Sequence, residues 1–205
     1  MTRDQALLAL SRGAAIVRQC AADGFDIIAL GEMGIGNSAS AALLLHRLGP
    51  LPLDKAVGVG AGHSPERLTR KQAALARAAA RTGVTEPLEV LTQFGGFEIA
   101  MMAGAILGAA STGAVVVVDG FIATSAALVA ARLAPACLDR CVFAHRSAEA
   151  GHAAMLAILK VEPMLDLDMR LGEGTGALLA VPLLRAAAAL LSQVASLADV
   201  LEGRL

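Results

Sequence analysis

The stretch IAMMAGAILGAASTGAVVVVDG, residues 99–120, decides how the rest of the chain is read. No residue from Ile99 to Val118 is charged, and a run of about 20 apolar residues is long enough to span a bilayer. Its interior argues against a span. The Ala- and Gly-rich part up to Ala110 favours a helix, and Ser111-Thr112-Gly113 reads as a turn. Val115–Val118 is a β-branched run of the kind found in buried parallel strands, and Asp119-Gly120 closes it. Helix, turn and buried strand belong to an α/β domain.

The same alternation extends outward. Helices are expected over Arg3–Ala22 (opened by Thr2), Ser38–Arg47 (capped by Asn37 or Ser38), Pro65–Arg81, Glu86–Gln93 and Phe97–Ala110. Later helices are expected over Phe121–Leu133, Ala148–Leu159 and the Ala/Leu-rich stretch Thr175–Leu201, where Pro182 marks the start or a kink. Asp26–Leu30, Ala56–Gly60, Val115–Val118 and Cys141–Ala144 read as strands, and Pro163–Leu167 as an extended piece. This order predicts one Rossmann-like α/β domain over 1–205, three αβα layers around a mostly parallel sheet. The stretch 175–201 is a candidate contribution to a small helical subdomain.

Composition narrows the functions. Seventeen basic against 18 acidic side chains give a net charge of −1, which supplies no field for nucleic acid or an anionic membrane surface. With no Trp or Tyr and five Phe, base-stacking platforms are not expected either. Cys20, Cys137 and Cys141 are odd in number and lack metal spacing, as expected for reduced thiols in a cytoplasmic protein. His46, His63, His145 and His152 form no close ligand pair, so no metal is expected, and no GxSxG elbow marks a nucleophile.

Glycine-rich turns fall at strand ends and helix starts, where open parallel sheets bind ligands. In Gly31-Glu32-Met33-Gly34-Ile35-Gly36-Asn37-Ser38, Gly34 and Gly36 permit close backbone approach, and Asn37 and Ser38 offer donors at a helix start. The spacing matches neither the dinucleotide fingerprint nor the P-loop. The loop reads equally as a tight turn carrying a solvated Glu32. Arg170-Leu171-Gly172-Glu173-Gly174-Thr175-Gly176 repeats the arrangement of an acid among glycines before a helix. Two such loops suggest one pocket in which a partly desolvated acid serves as a general base.

A third glycine loop, Val57 to Glu66, is followed by Lys71, a phosphate or ribose contact or simply a solvated side chain. Asp119 reads as a helix cap or a ribose ligand. His145 and Ser147 read as substrate donors, with capping by Ser147 an equal alternative.

Taken in order, GEMGIGNS (31–38), FGGFEIAMMAGAILGAAS (94–111), VVVVDGFIATSAAL (115–128), HRSAEAGH (145–152) and MRLGEGTGALLAVPLLRAA (169–187) resemble the nicotinate-nucleotide–dimethylbenzimidazole phosphoribosyltransferases. The resemblance implies transfer of phosphoribose from nicotinate mononucleotide to 5,6-dimethylbenzimidazole, by a homodimer without cofactor. It implies Glu173 as general base, Glu32 as a second acid and Lys71 as a functional lysine. Gly34, Gly36, Asn37, Ser38, Ser147, Gly174, Thr175 and Gly176 would hold phosphate and ribose, with Asp119 and His145 as further substrate contacts. Family members carry an additional N-terminal segment that helps form the benzimidazole pocket, and its motif is missing here. The expectation is therefore a shortened homologue or a fragment, with a nucleotide-binding but catalytically incomplete module as the alternative.

Overall fold

The computed structural model describes residues 1–58 and 65–203. Thr2 opens helix α1 (Arg3–Ala22) with a capping box: its hydroxyl accepts the Gln5 N–H while the Gln5 side chain accepts the Thr2 N–H. Strand β1 (Ile27–Leu30) follows, then helices α2 (Asn37–Leu48), α3 (Leu53–Ala56), α4 (Pro65–Ala79), α5 (Pro87–Phe94) and α6 (Phe97–Ala109). Strand β2 (Val115–Val118) leads into helix α7 (Gly120–Leu133), a 3-10 turn over Pro135–Arg140 and strand β3 (Cys141–Phe143). Helices α8 (His152–Leu159), α9 (Thr175–Gln193) and α10 (Leu197–Leu201) complete the chain.

The stretch 99–120 folds as helix, turn and strand, and β2 is the centre of the sheet. The order is β1-β2-β3, with both pairs parallel; Ile27 pairs with Val115 through Leu30 with Val118, and Val116 with Cys141 through Val118 with Phe143. The pleat divides the valines. Val116 and Val118 enter the large core with α1, α2, α6 and α7, while Val117 packs with Ala144, Ala177 and Ala180 beneath α9. Helices therefore cover both faces of the sheet, and the expected α/β class and parallel sheet are present.

The small residues of α6 have a packing reason. A β-carbon on Gly104 would overlap the Leu10 carbonyl, and one on Gly13 the Met101 carbonyl, so α1 and α6 meet backbone to backbone. That contact brings α1 against the layer that supports β2.

Several boundaries differ from expectation. Ala56 ends α3, begun after Pro52, instead of starting a strand; Val57 and Gly58 lie outside the sheet, and Val59 and Gly60 lie outside the described residues. Helix α2 starts at Asn37 after a left-handed Gly36, and neither Asn37 nor Ser38 caps it. Helix α8 starts at His152 rather than Ala148: His145 bridges to Leu165, and residues 148–151 form bends and a turn before the helix. The terminal stretch breaks after Gln193, where Ser196 and Asp199 build a fresh capping box for α10. Pro182 lies well inside α9. By length and mean hydropathy (1.7) α9 could cross a membrane, yet its early turns pack on the sheet through Ala177 and Ala180.

Candidate active site

The carboxyl ends of the three parallel strands open onto one cavity of about 500 Å³. The turn after β1 supplies Glu32, Gly34, Gly36, Asn37 and Ser38 to its wall. The end of β2 supplies Asp119, and the segment after β3 supplies His145 and Ser147. The register explains this grouping. Val118 pairs with Phe143, so residues just beyond the two strand ends fall side by side.

The two acid-bearing loops abut through their backbones. The Glu173 N–H faces the Glu32 carbonyl at 3.4 Å, and Gly31 packs so closely on Gly174 that a β-carbon on Gly31 would overlap it. Three successive residues there are left-handed, with φ of 76° at Gly172, 61° at Glu173 and 83° at Gly174. Arg170, Leu171 and Gly172 line the cavity, whereas Glu173 is exposed and, with Gly174, Thr175 and Gly176, lies outside the lining.

Glu32 accepts a hydrogen bond from the Asn37 side-chain amide. Burial raises its carboxyl above the ordinary range; the Asn37 bond opposes that rise and the Glu98 charge adds to it. At the start of α2 the absence of a side-chain cap leaves first-turn N–H groups directed toward the cavity end of the helix, the setting that favours an anion. Lys71, on α4, stands behind this end rather than in the lining. Its ammonium donates to Ser38 Oγ at 3.1 Å and to the Gly58 carbonyl at 3.3 Å. Burial lowers its pKa from the ordinary lysine value, and the nearby Glu149 carboxylate works against that. Of the third glycine loop, residues 59–64, including His63, lie outside the described residues.

Asp119 occupies the cap position of α7, but its side chain does not cap the helix. It turns to His145 instead. Oδ1 lies 2.7 Å from Nδ1, with both side chains almost fully buried. Ser147 caps no helix; its hydroxyl accepts the Glu149 N–H at 3.3 Å within the turn. Sequence reasoning passed over Glu149, Arg170 and Phe121 as lining residues. Glu149 and Arg170 sit within motifs already singled out, so their place beside the chosen residues was the available signal.

The other omission is His152, fully buried at the start of α8. Its Nδ1 accepts the Ser147 N–H at 2.8 Å, which puts the ring proton on Nε2, 2.9 Å from Thr124 Oγ1. The Thr124 hydroxyl donates to the Gly120 carbonyl at 2.7 Å. This chain ties the Ser147 turn to the first turn of α7. Burial, then the His145 and Arg146 charges, push the His152 pKa from 6.5 down to about 3.

An acid-stability prediction follows from this shift. The folded pKa lies below the unfolded one, so the stability from neutral His152 is complete above pH 6.5 and is lost as pH falls toward 3. The loss approaches about 1.4 kcal/mol per pH unit within that window. Urea midpoints measured between pH 7 and pH 4.5 should fall more steeply for the wild type than for His152→Gln. Equal acid slopes would remove this role.

Comparison with known proteins agrees with the geometry. A family model described as phosphoribosyltransferase matches residues 1–200. The chain is 54% identical over 200 residues to the nicotinate-nucleotide–dimethylbenzimidazole phosphoribosyltransferase of Dechloromonas aromatica, covering 96% of this chain and 58% of that protein. It is 47% identical over 187 residues to the Vibrio atlanticus protein of the same name, covering 91% and 55%. CobT of Thermus thermophilus, a crystal structure, superposes with a TM-score of 0.88 at 45% identity, covering 94% of this chain and 58% of that one. The chain thus spans a little over half the length of these relatives. With its parallel sheet, its two abutting glycine loops and this match over nearly all its residues, the chain belongs to the nicotinate-nucleotide–dimethylbenzimidazole phosphoribosyltransferase family.

Proposed function

We propose that the cavity transfers phosphoribose from nicotinate mononucleotide to 5,6-dimethylbenzimidazole, giving α-ribazole 5′-phosphate and nicotinate for the lower ligand of cobalamin. The observation that carries this reading is the meeting of the Gly31–Glu32 and Gly172–Gly174 segments beside an uncapped helix start. One part of the site suits an anion and the other carries acids. The phosphate is assigned to Gly34, Gly36, Asn37, Ser38 and Ser147, with the Lys71 charge behind Ser38. Gly174, Thr175 and Gly176 are assigned to the sugar-phosphate side, where the first turn of α9 begins. Asp119 and His145 contact the same substrate.

The chemistry then divides between two carboxylates. One azole nitrogen attacks the anomeric carbon as the bond to the nicotinate ring nitrogen breaks and its electron pair leaves with nicotinate. The other azole nitrogen gives up its proton to Glu173, the proposed general base at the rim. Glu32, held by Asn37, stabilises positive charge developing on the ribose. The reading needs no cofactor and no metal, and it places a homodimer in the cytoplasm acting on small molecules, with neither nucleic acid nor membrane as partner.

Nicotinate release measured with each substrate alone and with both tests this directly. Release that requires both is expected. Because the chain spans 58% of the Dechloromonas relative, a second reading is nucleotide binding without transfer. Calorimetric binding of nicotinate mononucleotide with no benzimidazole-dependent release would select it.

A further inference from the structure

His152 is fully buried and lies outside the cavity lining, yet it bonds to both segments that form the wall beyond β2 and β3. The backbone of residues 146–148 explains why a ring is needed there. The Arg146 N–H donates to the Leu165 carbonyl at 2.8 Å, and the Ala148 N–H to the Met169 carbonyl at 3.0 Å. In extended chain, successive N–H groups point to opposite sides. The Ser147 N–H between them therefore points away from 165–169, past the end of β2, which last pairs through Val118 with Phe143. A buried N–H left unpaired costs about 1–3 kcal/mol. Nδ1 of His152 takes it at 2.8 Å.

The other edge of the ring is fixed as well. With Nδ1 accepting, the ring proton sits on Nε2, 2.9 Å from Thr124 Oγ1, and the Thr124 hydroxyl donates onward to the Gly120 carbonyl at 2.7 Å. Phe121 and His145 stand edge-on to the ring, each with centroids 6.3 Å away. Every hydrogen in this chain has one place. The ring is a strut between two wall segments, not a proton carrier.

What hangs from the strut is the loop of the proposed base. Residues 170–173 depart from the Ala148–Met169 bond, and at their far end the Glu173 N–H faces the Glu32 carbonyl at a longer 3.4 Å. Glu173 is left-handed, with φ of 61°, a conformation that persists only when its surroundings hold it. We propose that His152 is a positioning residue for the transfer reaction: through the Ser147 N–H it holds the 146–148 segment, and through that segment the loop that carries Glu173. This rests on Glu173 as the general base, the assignment made above.

Asparagine and glutamine at position 152 separate the two nitrogens. Asparagine carries its oxygen at the depth of Nδ1 and can still accept the Ser147 N–H; glutamine reaches the depth of Nε2 and Thr124 instead. Single-turnover rates at saturating substrates should fall about 10- to 100-fold in His152→Gln and stay within a few-fold in His152→Asn. In a Glu173→Gln background the same exchange to glutamine should cost less than about 3-fold, because the group it displaces is already gone. Equal losses in the two variants, or a full loss in both backgrounds, overturns the inference and leaves His152 as packing alone. If His152→Gln does not fold by circular dichroism, the near-isosteric Thr124→Val, which removes the partner of Nε2, is read in the same two backgrounds by the same criterion. Amide hydrogen exchange separates this result from failure of the base assignment. Faster exchange over 144–149 and 165–174 in His152→Gln, restored in His152→Asn, keeps His152 as the holder of the loop even if Glu173→Gln turns over normally or no transfer occurs. Faster exchange confined to 144–149 overturns it.

Discussion

Glu173→Gln is expected to lower turnover about 10²- to 10⁴-fold while nicotinate mononucleotide affinity stays within a few-fold. The substitution preserves size and hydrogen-bonding capacity but removes the proton acceptor. It also keeps a β-carbon in the left-handed backbone at φ 61°, so the loop experiences the same local strain before and after. The side chain is exposed at the rim rather than in the lining, which suits a base that meets the azole as it enters. Single-turnover rates with both substrates give the chemical step, and calorimetry gives the binding. A variant turning over at the wild-type rate would remove Glu173 as base. Glu32→Gln is the informative companion, because burial has already raised the Glu32 pKa. A comparable loss there with none at Glu173 would reassign the proton to Glu32.

Gly104→Val is expected to destabilise the fold by about 3 kcal/mol or more, the upper end of overpacking effects. A single β-carbon at that site already overlaps the Leu10 carbonyl, and the obstacle is backbone on both sides rather than the end of a flexible side chain. Either α1 lifts from α6, uncovering Ala6, Ala9 and Val17, or α6 shifts against the layer beneath β2. Better helix propensity than glycine, worth less than about 1 kcal/mol, is too small to compensate. Gly113→Ala is the matched control. A β-carbon there meets nothing within 4 Å, and loss of unfolded-state freedom should leave stability unchanged or raised by about 0.5 kcal/mol. Urea denaturation of the two variants separates close packing from a general effect of glycine; similar midpoints would show that α1 and α6 can part cheaply.

What the sequence discloses depends on how local the deciding physics is. Val115–Val118 was legible because four β-branched residues between a turn and Asp-Gly have few ways to bury themselves except as a central parallel strand. The start of α8 was not. Ser147 looks like a cap from its neighbours alone, but the ring of His152 takes the Ser147 N–H and holds the chain in a turn. Asp119 failed as a cap for the same kind of reason, since its partner, His145, arrives from the next strand. The glycine loops were visible as candidates, and their mutual approach at Gly31 and Gly174 makes the two segments neighbours. What each side chain does to a ligand depends on side-chain directions, which motif spacing does not carry. Glu173 at the rim and Lys71 behind Ser38 are the instances here.

The left-handed run at 172–174 sets two selective pressures against each other. Its outer members are glycines, for which that conformation is free of steric cost, and its middle member is a glutamate, for which it costs about 1 kcal/mol. A library of this chain sorted only for heat resistance should therefore accumulate glycine or asparagine at 173 and shed the acid. Ranking variants by melting temperature would discard the proposed chemistry first. Any effort to harden this scaffold has to hold position 173 fixed and look for its gains elsewhere.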